Sequence, residues 1–236
     1  LSSKLAKYRV NIGTLTPALF HNIVQNDIQI LSRYKTLIVA GDILDPQLTK
    51  LFVEIFPNIS LINCYGPTEA TIFSTYYKVP NNFNYHRVPI GKPISNTTIY
   101  ILDHLLRVTP IGSIGELYIG GPGIANEYLN KPELTAEKFI ANPFNNQVSD
   151  VLFKTGDLAR YLPDGNIDFI GRKDSQVKIA GYRVELGEIE NVLRHHPLIQ
   201  DVAVLTSKAD FGDKKLEAYA SLSCTKDFVS HINISS

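Results

Sequence analysis

Tyr65-Gly66-Pro67-Thr68-Glu69 places a hydroxyl and a carboxylate just after a Gly-Pro pair that fixes the backbone. A Mg²⁺ ion that bridges phosphates takes one or two carboxylates and keeps several waters. Glu69 can supply one such carboxylate, and Tyr65 can stack on a purine. A structural turn carrying an exposed acid would use the same five residue types. Lys154-Thr155-Gly156-Asp157-Leu158 sets a second acid just after an apolar run. An Asp there can accept from both hydroxyls of a ribose, or it can cap its own turn. Gly171 to Glu190, GRKDSQVKIAGYRVELGEIE, is dense in charge. Arg172 and Lys178 have the chemistry to meet phosphate or ribose, and as surface ion pairs they would be worth about 0–1 kcal/mol each. Gly115 to Gly123, GELYIGGPG, lacks both the Gly-Lys-Ser/Thr ending of a phosphate loop and the strand–GxGxxG–helix order of a dinucleotide site. Its glycines read as tight turns. His195-His196 is not a metal pair, because adjacent helical residues face different ways and no suitable partner follows four residues on.

These groups need elements to hold them. Leu37-Ile38-Val39-Ala40, ending at Gly41, reads as a buried parallel strand. Asp45-Pro46 reads as a helix start, with Leu48, Leu51, Phe52 and Ile55 as its apolar stripe. Ile59 to Ile62 is the next strand and runs into Asn63. The strand–helix–strand order implies a mostly parallel sheet covered by helices, in which ligands sit beyond the carboxyl ends of the strands. Gly41-Asp42 and Gly66 to Glu69 both fall there. From about Val79 short strands alternate with turns: Thr97 to Leu102, Gly115 to Ile119, Val151 to Phe153. Pro163-Asp164-Gly165-Asn166 reads as a hairpin turn between strands Ala159-Arg160-Tyr161 and Ile167-Asp168-Phe169. Past Asp174 a hairpin around Ala180-Gly181 leads into a helix with Leu186, Ile189, Val192 and Leu193 on one face. Strands Val202 to Leu205 and Leu216 to Leu222 follow, and Asp227 to Ser236 shows no element.

The expected fold is α/β. Residues 1–172 hold a mostly parallel sheet (1–78) and a small β-barrel-like unit (79–172), 173–174 a hinge, and 175–236 a small α+β subdomain. The 236 residues are 44% hydrophobic and 19% charged, enough to bury a core. With 23 basic and 23 acidic residues and no basic block, the chain has no electrostatic footprint for nucleic acid. No apolar run reaches the about 18 residues a membrane span needs. The two cysteines, Cys64 and Cys224, match no metal spacing and suit a reduced, cytoplasmic setting.

NCYGPTEATI (63–72), GELYIGGPGIANEYLNKPELTAEKF (115–139), KTGDLARYLPDGNIDFIGR (154–172) and DSQVKIAGYRVELGEIE (174–190), in this order, resemble the adenylate-forming superfamily. In detail they are similar to the adenylation domains of non-ribosomal peptide synthetases. The resemblance runs from about Asn11 to Leu222. It implies ATP-dependent activation of an amino acid, with Mg²⁺, and transfer to the phosphopantetheine of a peptidyl carrier domain beside a condensation domain. It also implies roles. Asn63 would bond the adenine edge and Tyr65 stack on it, with Gly41 and Asp42 lining the same pocket. Thr68 would hold a phosphate oxygen, Glu69 the Mg²⁺, and Asp157 the ribose hydroxyls with Arg172 beside them. Asp174 would be a hinge, Lys178 would serve thioester formation, and Gly181 would line a pantetheine tunnel. Thr14, Ile38, Ala40, Cys64, Ile72 and Phe73 would line an uncharged side-chain pocket, favouring an apolar amino acid.

The chain departs from the family pattern at Lys154, at Asn126-Glu127 and at Ala180. The family's Gly/Ser/Thr-rich phosphate loop, the pocket Asp that holds the substrate amine and the late catalytic Lys match nothing in these 236 residues. The expectation is a chain cut at both ends and inactive alone. The competing readings are an acyl-CoA or aryl-CoA ligase of the same superfamily and a non-catalytic remnant.

Overall fold

The computed structural model describes residues 7–144, 150–174, 176–179, 182–208, 214–222 and 230–232. They fall into two compact units, Leu1–Lys173 and Asp174–Ser236.

In the first unit, strands β1 (Ile12–Leu15), β2 (Thr36–Ala40), β3 (Ser60–Tyr65), β4 (Thr75–Lys78) and β5 (Lys92–Pro93) form one sheet in that order. The first three are parallel, and β4 and β5 close it antiparallel. Helices α1 (Pro17–Asn26) and α2 (Pro46–Ile55) each begin with a proline behind a capping residue. Asp45 accepts from the amides of Gln47 and Leu48, both at 2.8 Å. Those amides have no partner inside a helix, so the cap offsets a cost the first turn would otherwise carry.

Period-two alternation sorts the sheet's faces. Leu37, Val39 and Leu61 are fully buried with Phe20 and Phe52 of the two helices, whose rings meet edge-on at 5.4 Å. Thr36, Ile38 and Ala40 on the opposite face are only half-buried. The stripe on α2 is rotated from the sequence expectation. Thr49, Phe52 and Val53 are buried, while Leu51 and Ile55 are exposed. Thr49 can face the core because its hydroxyl donates back to the Asp45 carbonyl at 2.6 Å.

A second, antiparallel sheet follows in the same unit: β6 (Thr98–Leu102), β7 (Gly115–Gly120), β8 (Phe139–Ala141), β9 (Val151–Tyr161) and β10 (Ile167–Arg172), with helix α3 (Pro132–Lys138) between β7 and β8. Ladders run β10-β9-β7-β6. The long β9 carries β8 on its first residues and β10 on its last. The two strands expected around 151–153 and 159–161 are thus one, continuous through Gly156, whose φ of 76° only glycine adopts cheaply. The expected hairpin turn is present, with Gly165 at φ 78° and its amide donating to Leu162 at 2.9 Å.

The two sheets are joined at Gly91, where the amides of Ile90 and Ile167 exchange bonds with Ile167 and Gly91 at 2.8 Å. A Cβ on Gly91 would lie 1.8 Å from the Tyr76 carbonyl oxygen, at a φ of 86°. Backbone cannot yield as a side-chain tip can. Gly91→Ala should therefore destabilise this unit by about 2 kcal/mol or more in urea unfolding; an unchanged midpoint would contradict the seam.

The second unit has a hairpin of β11 (Gln176–Ile179) and β12 (Tyr182–Glu185), helix α4 (Leu186–Arg194), and an antiparallel sheet of β13 (Ile199–Lys208), β14 (Lys214–Leu222) and β15 (Ser230–Ile232). Leu186, Val202 and Val204 form its core, with Ile189 and Leu193 packed against them. Val192, expected on the same helix face, is 73% exposed. The tail also differs from expectation, because Ser230–Ile232 pairs with Ala218 to Ala220. Its short, polar sequence gives no alternation to detect.

Candidate functional site

β3 delivers consecutive residues to opposite faces. Leu61 and Asn63 are buried on the helix side, and Tyr65 follows them on that face by alternation. Ile62 and Cys64 lie on the other. The parallel register pairs Thr14 with Ile38 and Ala40 with Cys64, so four of the six expected pocket residues share one face of adjoining strands. Two neighbours on this face escaped sequence reading: Ile62, paired with Ile38, and Tyr76, paired with Cys64. Tyr76 is 47% exposed. Its signal was the alternation of β4, a strand too short to stand out. The Cys64 thiol is pushed up to about 11 by burial, so it stays neutral and behaves as a small apolar side chain. Ile72 is exposed and Phe73 half-buried, on the segment leading into β4.

On the helix side, the Asn63 amide nitrogen donates to the Pro89 carbonyl at 2.8 Å, which orients its carbonyl oxygen as an acceptor. Gly41 leaves β2 one residue beyond the Ala40–Cys64 pair, at φ 111°. The Asp42 carboxylate accepts from the Ile43 amide at 2.8 Å. Nearby, His21 accepts from the Asp45 amide at 2.9 Å. Its pKa is held below the usual histidine value chiefly by burial, against the opposing pull of Asp45 and Asp42.

The structure brings three expected residues into direct contact. The Tyr65 hydroxyl donates to Asp157 Oδ2 at 2.5 Å, and Arg172 Nη1 donates to Asp157 Oδ1 at 2.8 Å. Asp157 is 5% exposed. Burial first, and then the adjacent carboxylate, hold the Tyr65 phenol's pKa well above its ordinary value, so it is a permanent donor. A carboxylate oxygen can accept more than one bond, so the chemistry of this group suits a donor pair such as vicinal hydroxyls. Removing Arg172 would leave a buried charge uncompensated, a loss of about 3–5 kcal/mol.

The turn after β3 carries Thr68 and Glu69 in one 3₁₀ turn, Thr68–Ala70. Gly66 admits no side chain, since a Cβ would lie 2.5 Å from the Ile72 carbonyl oxygen. Thr68 is exposed, whereas Glu69 is 6% exposed and accepts from the Tyr128 hydroxyl. A buried carboxylate beside a hydroxyl offers oxygen donors only, which suits a hard cation such as Mg²⁺ over zinc. No three His, Cys, Asp or Glu side chains converge among the described residues.

Other expected residues lie apart. Asp174 belongs to the second unit, where its carboxylate accepts from the Gln176 amide at 3.3 Å. Lys178 is placed only by its backbone, as the register partner of Arg183. Ala180, Gly181 and Cys224 lie outside the described residues. His195 and His196 bond to nearby backbone, at Asn191 O and the Leu198 amide. Among the described residues no helix is long and apolar enough to cross a membrane.

The profile of the AMP-binding enzyme family matches residues 2–129, more than half of the chain. Tyrocidine synthase 3 of Brevibacillus parabrevis is 46% identical over 205 residues, 87% of this chain and 3% of that protein. Among solved structures, PA1221, an NRPS protein containing adenylation and PCP domains, superposes with a TM-score of 0.84 at 32% identity, over 92% of this chain and 44% of that one. The artificially fused adenylation–PCP di-domain NpsA-ThdA from Klebsiella oxytoca gives 0.82 at 28% identity, over 94% and 41%.

Proposed function

We propose that this chain, which belongs to the AMP-binding enzyme family as an adenylation domain of the non-ribosomal peptide synthetase kind, serves to activate an apolar amino acid with ATP for transfer to a carrier domain. It spans 3% of the length of the synthase it matches, so the whole protein's reaction is read here from the residues this chain supplies. The observation that carries the reading is the Tyr65–Asp157–Arg172 network, a buried carboxylate fixed on both oxygens beside an aromatic ring.

In this reading the amino-acid carboxylate attacks the α-phosphorus of ATP, forming an acyl–phosphate bond as pyrophosphate leaves. Asp157 accepts from the ribose hydroxyls, Tyr65 stacks on adenine, and the Asn63 carbonyl oxygen accepts from its amine. Gly41 and Asp42 line the same pocket. Thr68 donates to a phosphate oxygen and Glu69 holds Mg²⁺, which when bound neutralises phosphate charge. Catalysis is then positioning plus charge stabilisation. The unit beginning at Asp174 rotates about that residue after adenylation, bringing Lys178 to the thioester-forming step at a carrier's pantetheine, with Gly181 along its path. A condensation domain beside the carrier, in the cytoplasm, completes the assembly.

Substrate choice follows from the face holding Thr14, Ile38, Ala40 and Cys64, with Ile72 and Phe73 following. None is charged, and burying a charged side chain without a partner is costly. Small Ala40 and Cys64 leave depth for an aromatic side chain such as Phe; the bulk of Phe73 favours Leu, Val or Ile instead. The test is amino-acid-dependent ATP–pyrophosphate exchange over a substrate panel, using the complete protein that contains this chain. Apolar amino acids should give the highest kcat/KM, and the 236 residues alone should give no exchange. Preference for Asp, Glu, Lys or Arg over every apolar amino acid would overturn the specificity, and robust exchange by the 236 residues would overturn the expected inactivity.

A further inference from the structure

The stretch after β7, Gly121 to Lys131, lies across the 3₁₀ turn that carries Glu69. Three bonds join them. The Thr71 hydroxyl donates to the Gly123 carbonyl at 2.7 Å, the Ala125 amide donates to the Glu69 carbonyl at 2.8 Å, and the Tyr128 hydroxyl donates to Glu69 Oε1. Thr71 sits at φ 72°, a conformation a threonine adopts at a cost, so something must hold it there. The partners lie over fifty positions apart in the chain.

Tyr128 is itself anchored. Its amide donates to the Thr135 hydroxyl at 3.0 Å, and that hydroxyl donates to the Lys131 carbonyl at 2.8 Å. Its ring meets Phe139 edge-on at 5.5 Å, and Phe139 packs against Phe153 at 5.1 Å. The phenol therefore reaches Glu69 from the second sheet, through a fixed aromatic stack. Asn126 and Glu127, where the chain departs from its family's pattern, are exposed, and neither makes any of the three bonds.

From this geometry we propose that Tyr128 is a positioning residue that holds the Glu69 carboxylate for a divalent cation, and that Gly121 to Lys131 is the strap that fixes the Glu69 turn. The inference rests on the reading of Glu69 as the Mg²⁺ ligand. A phenol O–H on one carboxylate oxygen selects a single orientation of the group, so the cation meets a preformed ligand. Partners that orient metal ligands in this way are worth about 10–100-fold in metal affinity.

The test uses the complete protein. Mn²⁺ affinity is measured by electron paramagnetic resonance with a non-hydrolysable ATP analogue, alongside the Mg²⁺ concentration that half-saturates pyrophosphate exchange. Tyr128→Phe keeps the ring and removes only the hydroxyl. It should weaken Mn²⁺ binding about tenfold or more and raise the half-saturating Mg²⁺ concentration in step, with KM for the amino acid unchanged. If Glu69→Gln weakens Mn²⁺ binding and Tyr128→Phe does not, the positioning role is wrong while the Glu69 assignment stands. If Glu69→Gln leaves Mn²⁺ binding unchanged, the Glu69 assignment falls and this inference falls with it. Weakened amino-acid binding in Tyr128→Phe equal to its Mn²⁺ loss would show a general structural role and also overturn it.

Discussion

Asp157→Asn, tested in the complete protein, is expected to lower kcat/KM for ATP by about 100-fold or more. The carboxylate is proposed to accept from two ribose hydroxyls, and hydrogen bonds to a charged group are worth about 1.5–3 kcal/mol each. The substitution also touches stability, because Arg172 and the Tyr65 hydroxyl both end on this buried group. A fall in activity alone would therefore not identify the role, and 2′-deoxy-ATP separates the two effects. The unaltered protein should discriminate against the deoxynucleotide, and Asp157→Asn should lose most of that discrimination. Equal losses with both nucleotides would mean that Asp157 only holds Tyr65 and Arg172 together.

The second large effect is expected at Lys178. Lys178→Ala should leave amino-acid-dependent pyrophosphate exchange within about twofold of the unaltered rate, as expected when a residue is absent from that transition state. Transfer to the carrier should fall by about 100-fold or more, the size of losing one donor at a reacting centre. The contrast comes from placing Asp157 and Lys178 in different compact units, one ending at Lys173 and the other beginning at Asp174. Single-turnover loading of a carrier, measured beside exchange, reads both half-reactions. Equal loss of both in Lys178→Ala would end the two-pose mechanism.

Local chemistry was legible in the sequence wherever a residue acts on its own neighbours. Asp45-Pro46 caps a helix because its bonds reach only to Gln47 and Leu48. The turn at Asp164-Gly165 closes on Leu162 and Asn166. The parallel pairing of β2 and β3 followed from their order and apolar runs, whereas β1, a short strand with no apolar run, was not read. Side-chain pairs that join distant segments were not legible. Tyr65 and Asp157 are 92 positions apart, and Glu69 and Tyr128 are 59 apart. No periodicity records such a pair, because either partner alone is an ordinary tyrosine or acid. Val192 and Leu51 misled for a related reason. Helical spacing gives an apolar stripe, but neighbouring elements decide which edge of it is covered.

The alternation along β3 bears on how such a chain can change over generations. Asn63 and Tyr65, proposed for the nucleotide, point one way, and Cys64 between them points to the proposed side-chain pocket. Point substitutions at Cys64, or at its partner Ala40, can therefore retune which amino acid is accepted while the nucleotide contacts are inherited intact. Insertions and deletions have no such licence. Gain or loss of one residue within β3 exchanges the two faces, turning the nucleotide contacts toward the pocket and the pocket wall toward the core. Descendants of this sequence can diversify by spelling changes in this strand, but its length is frozen.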